Sequence, residues 1–164
     1  MNKNLTRKLA LAGILIAVGV VCAPFAIPVG ASKCFPIQHM INVIAAVLLG
    51  PAYGVGMAFI TSLIRVITGL GTFLAFPGSM VGALCCGLMY KYTKKLTFTL
   101  IAEIIGTGVL GGLLAYPVAA FLMGKEAAIL GYVLPFLIST VGGCIIAAIL
   151  ILALKKAGVL KYFE

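Results

Sequence analysis

Gln38, His39 and Asn42 place three hydrogen-bonding side chains close together in an otherwise apolar stretch. On an α-helix Gln38 and Asn42 are i,i+4 and His39 and Asn42 are i,i+3, so all three share one arc of a helix face. Two amides and an imidazole offer donors and acceptors to a heteroaromatic ring or a hydroxyl. The same trio would also serve as a polar cap where a helix begins. Arg65 lies inside another apolar run, where an ion calls for a cavity, a partner, or a side chain long enough to reach the headgroups. Glu103 stands about two turns into a later run. It can pair with another buried polar group, contact a ligand or relay a proton. Ser79, Tyr116, Ser139 and Thr140 extend this polar set.

Catalysis finds little support. The chain has one histidine and three acidic residues, and it contains no HExxH, GxSxG or Walker A pattern. It therefore reads as a non-enzyme that does not hydrolyse ATP by itself. The five cysteines, Cys22, Cys34, Cys85, Cys86 and Cys144, include no CxxC pair. They fit small packing residues better than a zinc site or a disulfide framework, and no cofactor is expected.

The elements that position these residues follow from composition. Hydrophobic residues make up 63% of the 164 residues and charged ones 9%, with a mean hydropathy of +1.27. Runs such as Leu9–Phe25, Val81–Met89 and Ile145–Leu154 suit lipid rather than water. They lack the two-residue alternation of a barrel strand, so helices must satisfy the backbone. The expectation is an all-α membrane protein, a bundle of six transmembrane helices in a single domain over residues 1–164. The segments fall near 7–25, 37–49, 54–69, 76–91, 97–121 and 128–154, separated by Pro24 and Pro28, Gly50-Pro51, Gly69 to Pro77, Lys91–Lys95 and Gly124-Lys125-Glu126. The second and third are short for spans of ~20 residues, so they read as tilted helices or a re-entrant hairpin. The first segment reads as a retained helix, because Ala23-Pro24-Phe25 is a poor cleavage context.

Charge placement sets the orientation. Nine of the twelve Lys and Arg residues, including Lys3, Arg7, Lys8 and Lys155, fall at the termini and at 91–95. The positive-inside rule puts those regions in the cytoplasm and Lys33 and Lys125 outside. The net charge of +9 is thus a topology signal, and nucleic-acid binding is excluded. In this orientation Gln38, His39 and Asn42 lie near the outer surface. Phe35, Phe73, Phe76, Tyr116, Phe121 and Tyr132 gather on the same side, either as an interfacial belt or as a ring-stacking cleft roofed by residues 26–36. Small residues recur every fourth position at Gly13/Ala17, Gly78/Gly82/Cys86, Gly108/Gly112 and Ser139/Gly143/Ala147. In lipid such stripes let helices approach closely, mostly within one chain.

With these features the chain resembles the substrate-binding S components of energy-coupling factor (ECF) transporters. The stretch from Pro28 to Asn42, PVGASKCFPIQHMIN, and that from Gly71 to Met80, GTFLAFPGSM, resemble the ThiW family in particular, and the resemblance covers nearly the whole chain. It implies a protein of the cell membrane that binds a thiamine-precursor thiazole, hydroxyethylthiazole, on the outer side. It also implies partners: a membrane T component and two cytoplasmic ATPases that drive uptake. Helix one of such proteins carries AxxxA against the T component. Here Gly13 and Ala17 are its counterpart, with glycine departing at the first position. Gln38, His39, Asn42, Arg65, Phe76, Ser79, Glu103 and Tyr116 are the substrate-binding candidates. A neutral ring needs stacking surface and a few donors rather than a salt bridge, so Arg65 fits less naturally unless the ligand is anionic. Two other readings stay open: a stand-alone proton-coupled carrier using Glu103 or His39, and a non-transport membrane assembly protein.

Overall fold

The computed structural model describes residues 3–29, 32–124, 128–158 and 160. Lys125, Glu126 and Lys161 lie outside the described residues. Among the described residues, six helices of 13 or more residues form. They are α1 (Lys3–Val21), α2 (Pro36–Leu48), α3 (Pro51–Ile67), α4 (Ala75–Thr93), α5 (Leu96–Leu122) and α6 (Val133–Lys156). Pro36 and Pro51 open α2 and α3 at positions where a backbone N–H would have no helical partner anyway. Between them Gly50 adopts a φ of 89°, a conformation that turns the chain sharply and disfavours any side chain.

The stretch expected as a plain loop after α1 contains a short antiparallel ribbon. β1 (Ile27–Val29) pairs with β2 (Ser32–Cys34), with Ile27 opposite Cys34 and Pro28 opposite Lys33. Both strands of a two-stranded ribbon are edges, which is where a proline without an N–H is tolerated. Hydropathy alone gives no sign of so short an element.

α5 is wound loosely, with π-helical turns over Ile104–Gly111 and Val118–Leu122. Pro117, which has no N–H to give, precedes the second of these. Gly111 presses so close to α4 that a Cβ there would lie 2.8 Å from the Gly78 Cα. The first π-helical stretch packs against both α4 and α6.

α2 is the central element, with ten of its thirteen residues buried. Its later turns join Leu15 of α1, Met57 of α3 and Cys144, Ala147 and Ile151 of α6 in one apolar cluster. Its first turns carry the polar trio. The distribution of polarity is the reverse of a water-soluble domain. Arg65, Glu103, Asn42, Thr61, Thr99, Thr107 and Thr140 are buried, while Leu134, Ile138, Ile145, Ile149 and Leu152 of α6 are exposed. Apolar side chains facing outward suit a surrounding of lipid tails.

Among the described residues, three helices are long and apolar enough to cross a membrane: α1 over Asn4–Val21, α5 and α6. α2 and α3 are apolar but have only 13 and 17 residues, about 20 and 25 Å against a hydrocarbon core of ~30 Å. α4 has the length, with 19 residues, but its glycines, Ser79 and Lys91 make it less apolar. The six-helix expectation thus holds for the helices, with three of them qualifying as full spans on length and composition.

The small-residue stripes divide into two kinds. A Cβ on Gly143 would lie 2.7 Å from the His39 Cβ, and one on Gly112 would lie 2.8 Å from the Val133 Cα. Those glycines are packing surfaces between helices of this chain. Gly13 has nothing within 4 Å of its would-be Cβ, and both Gly13 and Ala17 are exposed.

Candidate ligand-binding site

The beginnings of α2, α4 and α6, the end of α3 and the turn after it enclose a cavity of about 440 Å³. That is within the range of small-molecule sites, at the compact end. Gln38 and His39 enter from α2, Arg65 from α3, and Ala75, Gly78 and Ser79 from α4. Tyr132, Phe136 and Ser139 come from the start of α6, and Lys33 and Phe35 from the ribbon. The 69–72 turn contributes Gly69, Leu70, Gly71 and Thr72.

Each wall is positioned by a local device. The backbone N–H of Phe35 donates to Ser139 Oγ at 2.7 Å, and the Cys34 thiol donates to the Pro135 carbonyl at 3.2 Å. These bonds tie the ribbon to α6. The Arg65 carbonyl accepts from the N–H groups of Leu70 and Gly71 at 2.8 and 2.9 Å, which folds the turn back over the Arg65 side chain. A Cβ on Gly78 would lie 2.7 Å from the Phe136 ring, so glycine is what admits that ring to the cavity wall.

Beneath the cavity lies a polar floor centred on Glu103. Its Oε1 is 3.1 Å from His39 Nδ1 and 3.0 Å from both Asn42 Nδ2 and Thr107 Oγ1. Asn42 Nδ2 also lies 3.0 Å from the Ser79 carbonyl. Ser79 Oγ donates to the Ala75 carbonyl at 2.7 Å and sits 3.0 Å from Ser62 Oγ. With Nδ1 of His39 engaged by the carboxyl group, Nε2 is the ring nitrogen left for a ligand. Gly82 makes room for this floor, since a Cβ there would lie 2.8 and 2.9 Å from the two Glu103 oxygens. Gln38 is held more loosely. Its Nε2 lies 3.5 Å from Asn42 Oδ1, and its Oε1 has no hydrogen-bond partner among the described residues.

Arg65 is 1% exposed, and its guanidinium carbon stands 3.9 Å above the Phe35 ring centroid. This face-on contact partly offsets the loss of hydration. Its Nε and Nη2 have no hydrogen-bond partner among the described residues.

The sequence candidates therefore separate by position. Gln38, His39, Arg65 and Ser79 line the cavity. Asn42 and Glu103 lie behind them, holding His39 and the Ser79 backbone. Phe76 and Tyr116 are not brought to the cavity wall. Ala75, Gly78 and Ser79 form the i, i+3, i+4 face of α4 toward the cavity, which turns Phe76 toward Phe59 and Phe73 at centroid distances of 5.7 and 6.4 Å. Tyr116 is half-buried on α5, which contributes no side chain to the wall. Phe136 escapes notice in the sequence. Yet Tyr132, Phe136 and Ser139 continue the small-residue stripe of Gly143 and Ala147 upward at helical spacing, and that periodicity is the signal that finds it.

A compact helical membrane protein with a mixed polar and aromatic cavity among its helix ends is built to hold a small molecule. The family model for thiamine-precursor transporter protein (ThiW) matches residues 9–157, nearly the whole chain. The chain belongs to the ThiW family, a family of thiamine-precursor transporters, which implies a small-molecule substrate and a non-enzymatic role. No curated protein and no solved structure matches it.

Proposed function

We propose that this protein is the substrate-binding S component of an ECF-type transporter and that the cavity at the helix ends holds a thiazole precursor of thiamine. The observation that carries this reading is the lining itself. Gln38, His39, Arg65 and Ser79 supply a few polar contacts, and Phe35, Tyr132 and Phe136 supply ring surface. A thiazole with a hydroxyethyl arm needs both. Asn42 and Glu103 act from behind, fixing the imidazole and the α4 backbone.

The proposed orientation follows the charges. α4 opens with cavity residues and ends near Lys91, and α6 opens at the cavity and ends at Lys155 and Lys156. The 24 residues of α6 span about 36 Å, so the cavity and the basic clusters occupy opposite ends of the bundle. With both termini cytoplasmic in a multi-pass arrangement, the cavity faces outward. The chain has no ATP-binding motif, and in this reading a membrane T component and two ATPases supply the energy for uptake. The exposed Gly13 and Ala17 face of α1 is the seat proposed for the T component.

Mass spectrometry of small molecules extracted from the purified protein, followed by calorimetric titration with hydroxyethylthiazole, tests the ligand. A different vitamin precursor released from the protein, with no thiazole binding, would overturn it. One observation favours a second reading. The buried His39–Glu103 pair directly beneath the cavity suits a proton-coupled carrier, and uptake that persists in membranes lacking the ATPases would establish it.

A further inference from the structure

We infer that the ligand form this cavity selects carries an anionic group, a carboxylate or a phosphate monoester, seated against Arg65. The inference rests on the proposed thiazole reading for the rest of the ligand and deepens it. Arg65 lines the cavity while nine-tenths and more buried, and it forms no ion pair among the described residues. Burying an uncompensated cation is unfavourable, and a structural arginine normally finds acceptors for its donors. Here the Phe35 ring lies under the guanidinium carbon, and among the described residues no acceptor meets Nε or Nη2. Those two donors form one edge of the planar fork, the edge that a two-oxygen anion meets with two parallel hydrogen bonds.

The rest of the lining agrees in sign. Lys33 is the second cation on the wall, and no acidic residue lines the cavity among the described residues. Glu103, the one acidic residue among the described residues, has its Oε1 engaged from behind by His39, Asn42 and Thr107. A neutral alcohol offers Arg65 one weak acceptor and leaves the second donor unmet. A carboxylate or a phosphate satisfies both.

The experiment titrates the purified protein with three probes: hydroxyethylthiazole, its phosphate monoester, and the thiazole bearing a carboxylate. At least one anionic probe should bind about 10- to 100-fold more tightly than the alcohol, as expected for added charge-assisted hydrogen bonds. Which of the two binds more tightly identifies the anion. Arg65→Gln should bring the anionic probe and the alcohol to within about threefold of each other. Arg65→Lys keeps the charge but not the fork, and should cut the preference at least about threefold; it decides the matter if the glutamine variant does not fold. The inference is overturned if the alcohol binds as tightly as both anions, or if the preference survives the loss of the guanidinium. If no thiazole binds, the thiazole reading falls separately. Inorganic phosphate then decides the anion site. Stabilisation against thermal unfolding that Arg65→Lys weakens supports it, and no stabilisation overturns it.

Discussion

His39 Nδ1 and Glu103 Oε1 lie 3.1 Å apart although 64 positions separate them in the chain. The contact joins the first turn of α2 to the last regular α-helical turn of α5 before the π-helical stretch. It places a carboxyl group directly behind the imidazole that faces the cavity. A histidine held this way presents one defined nitrogen to a ligand rather than a ring free to rotate.

His39→Ala is expected to weaken ligand binding by about 1–3 kcal/mol, or roughly 5- to 150-fold, since it removes hydrogen bonding from a desolvated pocket. Asn42→Ala should weaken binding by releasing the Glu103 and Ser79 contacts that hold the lining from behind. Asn42→Ala should also lower the thermal midpoint, because Glu103 and the Ser79 carbonyl both lose a donor. Calorimetry and thermal unfolding in detergent measure the two effects. Folded variants that bind with unchanged affinity would remove both residues from the site.

Glu103→Ala leaves the polar groups of His39, Asn42 and Thr107 without their common acceptor, a loss of about 1–3 kcal/mol or more in stability. Glu103→Gln retains an acceptor oxygen of the same reach and should lose less. Gly82→Val should resemble Glu103→Ala, since its side chain would occupy the space of the carboxyl group. A thermal midpoint for Glu103→Ala equal to that of the native protein would show that the floor is not a structural unit.

Gly13→Leu/Ala17→Leu is expected to leave folding and ligand affinity intact while abolishing copurification with the ATPase module and uptake. Gly143→Leu should instead destabilise the bundle, because its side chain would run into Pro36 and His39. Normal uptake by the α1 double variant would move the partner interface elsewhere. Loss of ligand affinity in step with uptake would make the pair internal packing.

Orientation is testable at Thr93, the last residue of α4. In a background without native cysteines, Thr93→Cys should resist an impermeant thiol reagent in intact cells and react after lysis. Labelling in intact cells would invert the arrangement.

Cys34 reports on the ribbon. Burial pushes its thiol up from the ordinary value, the hydrogen-bond contribution from Ser139 only partly opposing this. A raised pKa means that the reactive thiolate accumulates only above the usual thiol range. Maleimide labelling of Cys34 in the folded protein should therefore be slow near pH 8 and accelerate at higher pH. Rapid labelling at pH 7 would show that the ribbon does not stay docked on α6.

The sequence reveals the helices and one face of the site because both depend on local period. The 38–39–42 arc needs only a helix, and Gly50-Pro51 needs only backbone sterics. Glu103 is visible as a buried acid, and Thr107 four residues on shares its helix face, but His39 and Asn42 reach it from α2, a pairing that only the tertiary structure makes. Phe76 illustrates the converse. Its type and neighbourhood suit a ring cleft, yet the direction of its side chain depends on which face α4 turns inward. Arg65 is legible as an anomaly, while the ring beneath it and the turn folded over it require the tertiary structure.

α2 has one further consequence. Its first turn supplies the groups proposed to meet a ligand, and Val43 to Leu48 anchor the rod in the apolar cluster. Recognition and anchorage are thus written on successive stretches of a single helix. Exchanging side chains at 38 and 39 would retune what is captured while the anchoring turns stay as they are. Descendants of this scaffold can diversify their cargo by editing a few letters, without renegotiating how the chain folds.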